Sequence, residues 1–312
     1  MRRAFLLLTA APAALVAGAY ALTPLRERLT PREFAGDECF VRAAAGEVHY
    51  TDHGPRDAPA VLLIHGFGAW TFTWRNQARA LLAAGYRVVA VDQPGYGASD
   101  RPAAPLYSTW QQAAAHIAVL DALGIRRAHV VGHSFGGRVA LQLAIAWPQR
   151  VAALVGICPE AFATDRPAIA RIAALPLIGY ALAFWSLTPA LAPVGLRALS
   201  ANGAPWLTPE VAAGYTAPLA VKGTTAAQVW QARSPKDGPL PVPRNLAAVR
   251  QPALLVWGAR DRVFPASDGQ RLLGILPDAR LHIVPEAGHL PHEDAADDVS
   301  AAILAFLREQ GG

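Results

Sequence analysis

The stretch Val130-Val131-Gly132-His133-Ser134-Phe135-Gly136-Gly137 constrains this chain more than any other. It reads as a short apolar strand entering a tight turn centred on a serine, with a glycine two residues before it and another two after. Arg138 to Ala144 follow with helical spacing of apolar side chains. A chain that reverses from strand to helix this sharply leaves no room for a Cβ at the flanking positions, which explains Gly132 and Gly136. The same turn lifts the serine hydroxyl clear of the backbone and places it at a helix N-terminus, where developing negative charge is favoured. The motif is short, so its meaning depends on what else the chain supplies.

What surrounds it is an alternation of apolar strands and helical segments. Phe40 to His53 reads as two short strands joined at Gly46. Pro59 to Ile64 is a continuous apolar strand, as expected for a strand covered on both faces, and it ends in His65-Gly66-Phe67-Gly68. A helical pattern from Trp74 to Ala84, a strand from Arg87 to Val91, a turn-rich loop Asp92-Gln93-Pro94-Gly95-Tyr96-Gly97 and a helix from Ser108 to Leu123 lead up to the elbow. After a strand from Val151 to Ile157 the alternation stops at Pro159. It resumes near Gln251 with a strand (Ala253 to Trp257), a helix (Ala266 to Leu276), a strand (Arg280 to Val284) and a last helix from about Glu293. Such alternation predicts βαβ units and an α/β architecture with a mostly parallel sheet.

Two stretches depart from that pattern. Residues 159–245 form an insertion whose segment from Ile172 to Leu196 carries no charge, and no acidic residue occurs between Asp165 and Glu210. Pro176, Pro189 and Pro193 break it as a membrane span, so it reads as a helical lid with a large apolar underside. Residues 1–36 read as a segment outside the fold. Within it, Ala4 to Leu25 is a 22-residue run without a charge, preceded by Arg2 and Arg3. At about 1.5 Å per residue this run is just long enough to span a bilayer. The favoured reading is a membrane anchor. The alternatives are an export signal cleaved near Ala19-Tyr20-Ala21, a twin-arginine-like start at Arg2-Arg3, and an N-terminal helix packed on the domain. The side of the membrane is open, because Arg26, Arg28 and Arg32 balance Arg2 and Arg3. The expected division is 1–36 as anchor or signal, 37–158 with 246–312 as core, and 159–245 as lid.

Composition excludes some classes. A net charge of +5 arises almost wholly from arginine, since Lys222 and Lys236 are the only lysines, and no basic run is interleaved with aromatics as a nucleic-acid surface would require. Cys39 and Cys158 lack metal-ligand spacing and are expected to stay unpaired, Cys158 because it ends a buried strand.

In its order of landmarks the chain resembles the α/β-hydrolase superfamily, over roughly residues 40–310. The landmarks are His65-Gly66-Phe67-Gly68, the elbow from Gly132 to Gly136, Gly258-Ala259-Arg260-Asp261-Arg262-Val263-Phe264-Pro265, and Ala287-Gly288-His289. The order Ser…Asp…His is the one that fold uses. The resemblance implies an α/β-hydrolase fold, a mostly parallel sheet flanked by helices, with a helical lid inserted after the sixth strand. It also implies Ser134 as nucleophile, His289 as base and Asp261 as the acid that orients the imidazole. The oxyanion hole is expected from the backbone N–H groups of Phe67 and Phe135. No cofactor or metal is called for. His282, inside a strand, and His292, near the final helix, compete with His289 as base; Glu160, just past Cys158, and Asp268 compete with Asp261 as acid. Trp70, Trp74, Trp185, Trp206 and Trp230 are candidate pocket walls, and Asp92 and Asp100 read as turn residues.

Attack by serine implies acyl transfer through an acyl-enzyme. Lid-bearing dehalogenases and epoxide hydrolases, which resemble this chain otherwise, carry aspartate at the elbow. The leading expectation is hydrolysis of a carboxylic ester with an apolar part, a small lipophilic substrate reached from a membrane. The alternatives are hydrolysis of a carbon–carbon bond in a dienoic diketo acid, with Arg138 as a cation for the substrate's acid, and a non-hydrolytic receptor or scaffold on the same fold.

Overall fold

The computed structural model describes residues 2–36, 39–163 and 168–311, with the side chains of 2–11 and 168–170 excluded. A long helix, α1 (Arg2–Arg26), and a short one, α2 (Pro31–Ala35), precede the sheet. The strands are β1 (Phe40–Ala43), β2 (Gly46–His53), β3 (Ala60–Ile64), β4 (Arg87–Val91), β5 (Ala128–His133), β6 (Val151–Ile157), β7 (Ala253–Gly258) and β8 (Ala279–Val284). They form one eight-stranded sheet in the order β1-β2-β4-β3-β5-β6-β7-β8. β1 and β2 pair antiparallel, β2 is antiparallel to β4, and every other pairing is parallel. The central strands β3, β4, β5 and β7 are buried at every position because helices cover both faces.

On one face lie α4 (Thr109–Ala122), α5 (Phe135–Ala146) and α12 (Ala266–Leu273); on the other lie α3 (Arg75–Ala83) and α14 (Ala296–Glu309), preceded by the single turn α13 (Pro291–Asp294). The start of α4 follows from its sequence: the Ser108 hydroxyl accepts from Gln111 N–H while the Gln111 side chain accepts from Ser108 N–H. Between β6 and β7 the chain builds α6 (Ala168–Ala173), α7 (Pro176–Ser186), α8 (Ala192–Leu199), α9 (Pro209–Thr216) and α10 (Thr224–Arg233), then α11 (Val242–Asn245). Of the prolines that argue against a span here, Pro176 and Pro193 sit in the first turns of α7 and α8, where a missing N–H costs nothing, and Pro189 lies in the turn between them. The helical insertion after the sixth strand is therefore as expected, and it returns to the core where Val242 and Leu246 join the apolar cluster around α5.

One expectation needs correction. The N-terminal segment is not separate from the folded body. Ala19 packs with Ala181 and Phe184, Tyr20 stacks on Tyr180 with ring centroids 4.2 Å apart, and the Trp185 indole donates to Leu15 O at 3.0 Å. Further on, Leu29 bridges to Val221 and Arg32 pairs with Glu47 at 2.7 Å. Small residues such as Ala19 let two helices approach, which hydropathy alone does not reveal. Among the described residues no helix is long and apolar enough to cross a membrane; the first part of the charge-free run, residues 4–11, lies outside the described side chains.

Candidate active site

Ser134 stands between β5 and α5 with a φ of 51°, a left-handed conformation that a non-glycine residue holds only under local constraint. The constraint is the crowding the sequence predicts. A Cβ on Gly132 would lie 2.3 Å from Gly136 O, and one on Gly136 would lie 2.3 Å from both His65 O and Ile64 O. The turn thus lies against the end of β3, and the Ser134 hydroxyl is held in place for a partner.

That partner is His289, on the loop after β8. Its Nε2 lies 2.9 Å from Ser134 Oγ, and its Nδ1 lies 2.8 Å from Asp261 Oδ2. Because a carboxylate only accepts, Nδ1 carries the proton and Nε2 is left to accept from the serine. Asp261 sits on the loop after β7, where its other oxygen accepts from Val263 N–H at 2.7 Å and Phe264 N–H at 3.0 Å. Burial works to raise the pKa of this carboxyl. The hydrogen bond and charge of His289, together with the two backbone donors, outweigh burial and hold it below the usual aspartate value. The three residues drawn from the sequence are therefore brought into one hydrogen-bonded line.

The rivals fall elsewhere. His282 Nε2 pairs with Asp298 at 2.9 Å near the surface, and His292 is fully buried with Nε2 3.0 Å from Thr73 Oγ1. Glu160 lies in the wall of the cavity beside Ser134 but is paired with Lys236 at 2.6 Å and not with His289, and Asp268 is on α12. Phe135 opens α5, where the first N–H groups lack intrahelical acceptors, and Phe67 follows Gly66 in the loop leaving β3. Phe67, Ser134 and Phe135 line the same cavity.

The contributions of several residues around the site were not read from the sequence. His133 Nε2 donates to His289 O at 2.8 Å, fixing the backbone of the base; burial and the neighbouring His289 push its pKa down to about 3, so it stays neutral. Gly66 makes this possible, since a Cβ there would meet His133 Nδ1 at 2.6 Å. Asp92 is more than a turn residue. Fully buried, it accepts from His49 Nδ1 (2.9 Å), Thr71 N–H (2.8 Å) and Ala98 N–H (2.8 Å), tying the loop after β3 to the loop after β4. The lid also contributes: Leu199 O accepts from His289 N–H at 2.7 Å.

The cavity above Ser134 has a volume of about 650 Å³ and is walled chiefly by apolar groups of α7 with Val263 and Phe264. Trp70, Trp74, Trp185, Trp206 and Trp230 do not line it. Trp74 is core, the Trp70 and Trp206 indoles donate to Gly214 O and Asp294, and Trp230 carries Arg233 on its ring. Arg138 is likewise withdrawn. It is fully buried, forms a two-pronged pair with Asp237 at 2.9 and 2.6 Å, and donates to Glu160 O. A second cleft, about 580 Å³, lies where β3 and β4 begin, lined by Arg56, Arg87, Arg126 and Arg127, away from any of these groups. Neither cysteine is in a disulfide. Among the described residues the one cluster with metal-ligand spacing is Cys158, Asp261 and His289, whose Asp and His are already bonded to each other.

Comparison with known proteins bears on the fold that holds this site. The family model for the alpha/beta hydrolase fold matches residues 59–296. RutD of Variovorax paradoxus (strain S110), provisionally named a carbamate hydrolase, is 33% identical over 83% of this chain and 96% of its own length. A 2-hydroxy-6-oxo-6-phenylhexa-2,4-dienoate hydrolase of Comamonas testosteroni is 30% identical over 84% of this chain and 92% of its own length. Among solved structures, a membrane phospholipase A described as a bacterial virulence factor superposes with a TM-score of 0.71 at 27% identity, covering 99% of this chain and 95% of that one.

Proposed function

The chain belongs to the α/β-hydrolase family, and from that premise we propose that it is a serine hydrolase acting on carboxylic esters with an apolar acyl part. The observation that carries the reading is the Ser134–His289–Asp261 line opening into an apolar cavity. In the reaction, His289 Nε2 takes the Ser134 proton as Oγ attacks the ester carbonyl. The donors assigned to the oxyanion of the tetrahedral intermediate are the Phe67 and Phe135 N–H groups, both of residues that line the cavity with Ser134. The alcohol leaves with the proton from His289, and water activated by the same imidazole then releases the carboxylic acid from Ser134.

Membrane association through residues 4–25 is part of this reading, in either the anchored or the exported form. Among the described residues, twelve of the sixteen exposed large apolar side chains lie on α1 or between Ile172 and Val194 of the lid. Exposed apolar surface of that extent suits a substrate drawn from lipid, and the likeness to a membrane phospholipase A over nearly the whole chain supports the same assignment.

The second reading, carbon–carbon bond hydrolysis of a dienoic diketo acid, is favoured by the identity to the Comamonas enzyme. Against it, Arg138 is committed to Asp237 and Lys236 to Glu160, so neither is an uncommitted cation for the substrate's carboxylate. The hydrogen-bonded triad weighs against a non-hydrolytic receptor. A p-nitrophenyl ester chain-length series on the full chain separates the two enzymatic readings. Turnover that rises with chain length and disappears in Ser134→Ala supports the ester reading. Cleavage of a dienoic diketo acid with no ester turnover would replace it.

A further inference from the structure

We propose that Arg26 and Glu27 are positioning residues that set the width of the cavity above Ser134, by capping from outside the lid the two lid helices that form its walls. The proposal rests on reading that cavity as the acyl site.

The argument begins with helix ends. The last carbonyls of an α-helix and its first N–H groups have no partners within the helix. The last turn of α7 carries no basic residue, and α10 is preceded by Gly223, which has no side chain to cap the helix's first turn. Both deficits are met by two consecutive residues 150–200 positions earlier. Arg26 Nη1 donates to Phe184 O and to Leu187 O, each at 2.8 Å, with the guanidinium 4.0 Å above the Phe184 ring. Glu27 accepts from Gly223 N–H at 2.8 Å and from Thr225 N–H at 2.9 Å. The Thr225 hydroxyl joins the two, accepting from Arg26 Nη2 and donating to Glu27 Oε1. Each charge has the sign its helix end favours, positive at a C-terminus and negative at an N-terminus.

These two helix ends matter because of what they carry. The last turn of α7 and the residue after it present Ala183, Ser186 and Leu187 to the cavity, and α10 presents Gln228, Gln231 and Ala232 to the same cavity. Glu27 is 5% exposed, so loss of either partner leaves a buried charge unmatched and its helix end uncapped. Two walls held at one point by a shared pair move together when it is broken. Arg26 is also the final residue of α1, so the position of the N-terminal helix is passed directly to the cavity walls.

The test uses the full chain in detergent with the variants Glu27→Ala and Glu27→Gln, the latter keeping one acceptor oxygen. Steady-state constants are measured on p-nitrophenyl acetate and p-nitrophenyl octanoate, and binding of the fluorescent fatty acid cis-parinaric acid is measured in parallel. A cap is worth about one factor of ten, so Glu27→Ala is expected to raise the octanoate KM and the parinarate Kd by about tenfold. Acetate kcat should stay within about twofold, and Glu27→Gln should recover most of the loss. An equal loss on acetate and octanoate, or unchanged parinarate binding by folded Glu27→Gln and Glu27→Ala, would overturn the proposal. Should the wild-type chain bind parinarate yet hydrolyse neither ester, the ester reading fails while the parinarate comparison still decides the positioning role. A wild-type chain that does not bind parinarate contradicts the proposal outright.

Discussion

The catalytic end of the sheet and the lid above it solve the problem of holding a shape in different ways. Around Ser134 the constraints come mainly from neighbours at strand ends: Gly136 packed on β3, Asp261 held by the N–H groups of Val263 and Phe264, His289 fixed through His133. The lid helices α7 and α8 bury few side chains (none in α8) and expose much apolar surface, and α7 and α10 have ends closed by residues from the N-terminal segment. The difference teaches that the proposed chemistry sits where close neighbours constrain the chain, while the proposed fit to substrate rests on helices whose ends are held from a distance.

Substitutions at the sheet end should therefore remove activity without altering preference among substrates. Ser134→Ala is expected to cost on the order of a million-fold in kcat on p-nitrophenyl butyrate, with the unfolding midpoint little changed. Asp261→Asn should cost about ten-thousand-fold by fixing the wrong tautomer of His289, while Glu160→Gln, at the rival acid position, should stay within about tenfold. If the two acids behaved alike, the separation drawn here between triad and cavity wall would break.

At the seam between the regions the effect should appear in stability. Arg75 forms a two-pronged pair with the buried Glu293, at 2.6 and 2.7 Å, and Glu293 also accepts from Tyr215 of α9. Arg75→Ala leaves that carboxylate unpaired and is expected to cost about 3–5 kcal/mol in urea unfolding. A cost near zero would mean that the lid is not tied to the core at this point.

A pH effect should belong to the core alone. Burial drives His116 of α4 down from 6.5 to about 4 and His133 to about 3, so both stay neutral in the native state while the unfolded chain takes up protons near 6.5. Where the unfolded state binds more protons, stability rises with pH. The urea midpoint should thus fall as pH drops from 6.5 towards 4, and His116→Gln should flatten part of that slope. A midpoint that is constant across this window contradicts the assignment. The smallest stability effect is expected on the lid's outer face: Leu177→Ser, at a side chain 58% exposed, should change stability by no more than about 0.5 kcal/mol. The same substitution should weaken sedimentation with phosphatidylglycerol vesicles.

The same contrast governs how much the sequence reveals. The elbow, the strand alternation and the order Ser134, Asp261, His289 are legible because each depends on short spacings or on chain order. The lid was visible as a break in that alternation. What escaped depends on contacts between residues far apart in the chain. The spacing of Arg138 from Ser134 suggested a substrate cation, but its partner Asp237 lies 99 residues away and takes both prongs of its guanidinium. Trp185 looked like a cavity wall yet turns outward to Leu15, and Asp92 looked like a turn residue yet organises two loops. Nothing local to Arg26-Glu27 marks them as caps for helices that begin some 150 and 197 residues later.

The measurement that bears most directly on the central claim is covalent labelling of the full chain by an alkyl fluorophosphonate, with residual ester hydrolysis followed as the label accumulates. A single adduct on Ser134, mapped by tandem mass spectrometry, with activity falling in proportion to its occupancy and no labelling of Ser134→Ala, is the predicted result. An adduct at another residue, or full activity in a chain completely labelled at Ser134, would contradict it.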